Sequence, residues 1–186
     1  MIKGLAIGGE PCSGKTTLIK RFIRESGMKF EKVKAAKLLD ALYCKESNLY
    51  IFGIYDDSTD VFQGTDKLSM AVQPSAVEFL EGLSEGTVIF EGDRLFNSKF
   101  LGCISEKVHP DNFRILILKA GQEVLNERHI SRKDDQDDKF KNSRKTKISN
   151  IQANLDLREY MTSLPNNTSE DQEKLLGILK EFCLTV

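Results

Sequence analysis

Short apolar runs alternate along this chain with stretches in which apolar residues recur every three or four positions. Leu5-Ala6-Ile7, Val88-Ile89-Phe90 and Ile115-Leu116-Ile117-Leu118 are continuous apolar runs, too short for buried helices. Lacking polar alternation, they predict strands covered on both faces, over Lys3 to Gly8, Thr87 to Glu91 and Phe113 to Lys119. Leu18, Ile19, Phe22 and Ile23 share one helical face, with Lys20, Arg21 and Arg24 on the other and Gly27 as a stop, so Thr17 to Ser26 predicts an amphipathic helix. Lys37 to Cys44 and Asn48 to Tyr55, joined by Lys45-Glu46-Ser47, predict a hairpin. Pro74 suits the first turn of a helix running through Val77, Leu80 and Leu83. Further helices are predicted over Phe96 to Lys107 and Gln122 to Arg132. Ser169 with Gln172 makes a capping box for a last helix, Glu170 to Phe182. Strands alternating with helices predict an α/β fold whose central, mostly parallel sheet carries its site beyond the carboxyl ends of the strands.

Composition changes this picture little. At 186 residues the chain is expected to form one domain, and a net charge of −1 gives no global attraction to nucleic acid. Four cysteines without a C-x-x-C pair disfavour a zinc site or a disulfide framework. With no signal peptide and no apolar run near 18 residues, the expectation is a soluble protein of a reducing, cytoplasmic compartment with no membrane partner.

The chemistry begins directly after the first strand. Gly9-Glu10-Pro11-Cys12-Ser13-Gly14-Lys15-Thr16 reads G-x-x-x-x-G-K-[ST], the phosphate-binding loop, between a predicted strand and a predicted helix. Gly9 and Gly14 let backbone N–H groups converge on phosphate oxygens, and the helix start adds its partial positive charge. Lys15 is expected to reach the β- and γ-phosphates and Thr16 to bind Mg²⁺, with Cys12, Ser13 and Thr17 lining the nucleotide. This motif makes the expected fold a P-loop three-layer sandwich.

Other groups are expected at the same sheet edge. Glu91-Gly92-Asp93-Arg94 follows one strand, Asp56-Asp57 another, and Arg128 and Arg132 lie on the helix after a third. An acid on a strand end can hold Mg²⁺ or accept a proton from an attacking hydroxyl, and arginines can neutralise a transferring phosphoryl group. Asp57 or Asp93 is the expected general base or metal partner, with Glu91 supporting the metal. No N-K-x-D or L-S-G-G-Q pattern is present, which disfavours a GTPase switch and a transporter ATPase.

The loop motif, the Asp93-Arg94 pair and Glu127-Arg128-His129-Ile130-Ser131-Arg132, in that order, resemble the nucleotide-kinase branch of P-loop proteins. The resemblance implies ATP and Mg²⁺ as cofactors and a mobile lid at about 128–150, closing over ATP with Arg132, Arg144 and Lys147 on phosphate. It further implies that Arg128, Arg132 and Arg144 stabilise the transition state. The lid segment packs five positive charges into residues 139–147; a solvated loop and a track for a nucleic-acid backbone are the other readings of it. Tyr55-Asp56-Asp57, then Gly64-Thr65-Asp66-Lys67-Leu68-Ser69-Met70, then the pattern from Gln136 to Ile151, are similar to phage-encoded DNA 5-hydroxymethyluracil kinases. That similarity implies an acceptor hydroxyl on a base in DNA and a host cytoplasm. Asp56, Thr65, Asp66, Lys67 and Arg94 are then the expected acceptor-side residues. The rivals are a nucleoside or nucleoside monophosphate kinase, and an ATPase or nucleotide-switched binding module.

Overall fold

The computed structural model describes residues 1–56, 63–131 and 137–184. Asp57 and Arg132, two of the expected catalytic residues, lie outside the described residues. Seven strands form one sheet: β1 Ile2–Gly9, β2 Glu31–Ala36, β3 Leu39–Cys44, β4 Leu49–Phe52, β5 Gly86–Glu91, β6 Phe113–Lys119 and β7 Met161–Pro165. Their order across it is β2-β3-β4-β5-β1-β6-β7. The β4–β5, β5–β1, β1–β6 and β6–β7 pairs are parallel, and the β2–β3 and β3–β4 pairs antiparallel. The helices are α1 Lys15–Glu25, α2 Val72–Gly82, α3 Ser98–Lys107, α4 Gln122–Ser131, α5 Asp138–Ala153 and α6 Ser169–Leu184.

The three apolar runs become the central strands because each supplies side chains to two cores. Leu5 and Ile7, Ile89, Leu116 and Leu118 point to one face, where Leu18, Ile19 and Phe22 of α1 and Leu175, Leu179 and Phe182 of α6 cover them. Ala6, Val88, Phe90, Ile115 and Ile117 point to the other, against Ala76 and Leu80 of α2 and Phe100, Leu101 and Ile104 of α3. The fold is therefore α/β, with a mostly parallel mixed sheet flanked by helices. No helix among the described residues is long and apolar enough to cross a membrane.

The edges depart from the sequence expectation. The hairpin is there, with Tyr43 opposite Tyr50, but β2 extends it to a three-stranded meander. β2 carries Glu31, Lys32 and Lys34, charges that suit a solvent-facing edge and hide the strand from an apolar pattern. β7 is likewise an edge strand, mostly exposed and ending in Pro165. The capping box of α6 is formed one residue earlier than expected. Thr168 Oγ1 accepts from Asp171 N (3.1 Å) while Asp171 Oδ2 accepts from Thr168 N (3.1 Å) and Asn167 N (2.8 Å). Those N–H bonds hold the Asp171 carboxyl below its ordinary range. Gln172 faces inward instead.

Candidate active-site cleft

Residues 9–16 leave the carboxyl end of β1 and turn into α1 through backbone that glycine permits. Gly9 and Gly14 have φ of 147° and 90°. A Cβ on Gly9 would stand 2.6 Å from Leu118 O, and one on Gly14 would stand 2.3 Å from Asn166 Nδ2. α1 begins with Gly14 as its N-cap, without a side-chain cap and without an acid in its first turn. No side-chain cap or first-turn acid therefore competes with an anion at this helix start. Lys15 folds back over the loop, donating to Gly9 O (3.0 Å), Glu10 O (2.9 Å) and Ser13 Oγ (3.4 Å).

The Lys15 side of this loop lines a cleft of about 220 Å³ at the carboxyl ends of β1 and β5. Opposite stand two interlocked turns, the 3₁₀ turn Thr65–Lys67 and the segment Glu91 to Arg94. Thr65 Oγ1 donates to Glu91 O (2.8 Å), and Asp93 N donates to Asp66 Oδ1 (2.5 Å). The interlock needs two glycines. A Cβ on Gly64 would meet Glu91 Oε1 at 2.3 Å, and one on Gly92 would meet Thr65 Oγ1 at 2.6 Å; both residues have positive φ.

Glu91 is almost fully buried, and its Oε1 accepts from Thr16 Oγ1 at 3.0 Å. The side chains expected to share a metal are thus brought together, one hydroxyl and one carboxylate, both hard oxygen donors. Among the described residues no group of three or more His, Cys, Asp or Glu gathers to hold a metal by side chains alone. A Mg²⁺ site of one or two protein oxygens completed by phosphates and water fits this pair. Tyr55, buried beside them, has its hydroxyl pushed well above the ordinary phenol range by burial and by the nearby Glu91 and Asp66 charges. Asp66 is also raised. Burial is the main cause, opposed by the Asp93 N–H and by the Lys15 charge.

α5 closes one side of the cleft with Phe140, Arg144 and Ile148. Its start is fixed by Asp137, whose side chain accepts from Phe140 N (2.7 Å). The Arg144 guanidinium lies 4.5 Å over the Phe140 ring and pairs with Asp93, while Lys147 Nζ donates to Asp93 Oδ1 (2.7 Å) and O (2.9 Å). Asp93, one of two acids expected to accept a proton, is therefore held between two cations, with both its carboxylate oxygens engaged.

Several expected residues sit elsewhere. Arg128 does not line the cleft; it donates to Cys12 O (3.2 Å), Asn166 O (2.9 Å) and Asn167 O (3.5 Å), tying the outer side of the loop to the β7–α6 connection. Thr65 is fully buried with its hydroxyl committed to Glu91 O, so it shapes the site rather than facing a substrate. Lys67 Nζ donates to Asp56 Oδ2 (2.6 Å) and Gln63 Nε2 to Asp56 Oδ1 (2.8 Å), so Asp56 and Lys67 form a pair behind the cleft lining. Ser13 is fully buried, and Thr17 is exposed on α1 outside the lining. Gly9, Cys12, Lys15, Thr16, Asp66, Glu91, Asp93, Arg94 and Arg144 do converge on it.

Other contributors carry no motif. Asn166 is fully buried, its Nδ2 donating to Ser13 O (2.6 Å) and its Oδ1 accepting from Gln172 Nε2 (2.7 Å). Phe96 lays its ring against Gly8, where a Cβ would come within 2.1 Å of it. Cys12 Sγ lies 3.4 Å from His129 Nδ1. No protein-family model matches this chain, and no curated protein matches it.

Proposed function

We propose that this chain is a P-loop kinase, moving the γ-phosphoryl group of ATP to a hydroxyl acceptor with Mg²⁺ as cofactor. The observation that carries the reading is the Thr16–Glu91 contact at 3.0 Å, in a cleft that Lys15 enters from a glycine-shaped loop at a helix start. A triphosphate laid along that loop would meet the N–H groups opening α1 and the Lys15 ammonium. Thr16 and Glu91 would hold Mg²⁺, which when bound neutralises charge on the β- and γ-phosphates. Arg94 and Arg144 border the same cleft and supply positive charge for the transferring group. Catalysis would then be chiefly positioning and charge stabilisation.

The acceptor we propose is the 5-hydroxymethyl group of 5-hydroxymethyluracil in DNA, on the resemblance to the phage-encoded DNA 5-hydroxymethyluracil kinases. The recessed cleft favours a base turned out of the duplex, at a cost of about a few kcal/mol. Transfer from γ-labelled ATP is to be compared side by side on DNA containing 5-hydroxymethyluracil, plain DNA, nucleosides and nucleoside monophosphates. Label on the modified DNA is the expected result. Label only on small molecules replaces the acceptor, and release of free phosphate with no labelled acceptor refutes the kinase.

A further inference from the structure

Three carboxylates of the described residues line the cleft, and two are already committed. Glu91 is buried against Thr16, where the cation would sit. Asp93 is paired with Arg144 and Lys147. Asp66 differs from both. Its Oδ1 is fixed by the Asp93 N–H, and that is the single hydrogen bond its carboxylate makes among the described residues. The turn that carries it is anchored through Thr65 to the end of β5, and Gly92 leaves room for it, since a Cβ there would come 3.1 Å from Asp66 Oδ1. Asp66 therefore stands at a set position on the wall facing the Lys15 loop.

We propose that Asp66 is the catalytic base, its Oδ2 taking the proton of the acceptor hydroxyl as that oxygen attacks the γ-phosphorus. This rests on the kinase reading and adds to it the residue that activates the acceptor. In the step, the acceptor O–H bond breaks and the proton passes to Asp66, while the acceptor oxygen bonds to phosphorus. The bond from phosphorus to the β–γ bridging oxygen breaks, and its electron pair leaves on ADP. Burial pushes the Asp66 carboxyl above its ordinary range, opposed by the Asp93 N–H bond and by the Lys15 charge.

The test is Asp66→Asn, whose amide oxygen can still accept from Asp93 N–H but which offers no basic second oxygen. With γ-labelled ATP and a 5-hydroxymethyluracil oligonucleotide, or the panel member that takes label, kcat is expected to fall by about 10²–10⁴-fold. ATP affinity and acceptor KM should stay within about threefold. Asp66→Glu, which keeps a carboxylate, should retain more activity than Asp66→Asn. Equal rates for those two variants, or a loss in Asp66→Asn confined to KM, overturns the assignment while leaving the kinase standing. Should Asp66→Asn not fold, Asp66→Ser takes its place with the same expectations, its hydroxyl accepting from Asp93 N–H. A wild-type protein that binds ATP and labels no acceptor overturns the kinase reading, and the base with it.

Discussion

Asn166 joins three parts of the chain through one buried amide, so its removal should be felt as instability before it is felt as lost activity. Asn166→Ala takes away the donor to Ser13 O and the acceptor for Gln172 Nε2. Both partners are buried, and Gln172 Oε1 already has no hydrogen-bond partner among the described residues, so the variant would leave the Gln172 amide without either bond. Each buried polar group left unpaired costs about 1–3 kcal/mol, so the loss should be roughly 2–4 kcal/mol once some water entry is allowed. For a domain of this size each kcal/mol moves Tm by about 2–4 °C, predicting a fall of roughly 4–16 °C. Urea unfolding followed by circular dichroism measures it. A double-mutant cycle with Gln172→Leu sharpens the test, because leucine leaves no amide to satisfy and the pair should lose less than the sum of the single changes. A change below about 0.5 kcal/mol in Asn166→Ala, or strict additivity in the cycle, would refute the brace.

The interior of the sheet was legible because its strands satisfy two cores at once, which forces unbroken apolar runs such as Ile115 to Leu118. β2 and β7 were not, because an edge strand bonded on one side and wetted on the other places no such demand on its side chains. At the site, the loop from Gly9 to Thr16 is local in sequence, and its glycines answer backbone needs that the spacing reveals. Glu91 was legible as an acid ending a buried strand. Thr65, Asp66 and Lys67 are neighbours in sequence with three different fates, set by contacts to residues 91–93 and to Asp56 that no spacing encodes. Asn166 and Phe96 act through shape and buried hydrogen bonding, which leave no pattern. Arg128 was found by its motif and misplaced by it, because its partners are backbone carbonyls that any residue could supply.

Two further outcomes are expected. Gly92→Ala forces a φ of 101° on alanine and sets its Cβ 2.6 Å from Thr65 Oγ1, so it should cost roughly 1–3 kcal/mol in denaturant melts and slow any transfer reaction; wild-type stability and rate would show that the two turns are not interlocked. Burial pushes the Cys183 thiol from 9.0 up to about 12, so at pH 8 its alkylation should be slower by about a hundredfold or more in the native protein than in urea. Above pH 9 the unfolded thiol ionises while the folded one stays protonated, so this group should lower stability as pH rises from 9 towards 12. Equal native and denatured alkylation rates would contradict that burial.

The central claim is that a triphosphate sits on the loop from Gly9 to Thr16 with Lys15 and the Thr16–Glu91 pair around its phosphates. Titration calorimetry with ATP, with and without Mg²⁺, on wild type and Lys15→Ala tests it most directly. The account predicts saturable binding of one ATP per chain, tighter with Mg²⁺, and its loss in a Lys15→Ala protein that melts like wild type. Binding of ATP with equal affinity by both proteins, or no binding by wild type, would contradict it.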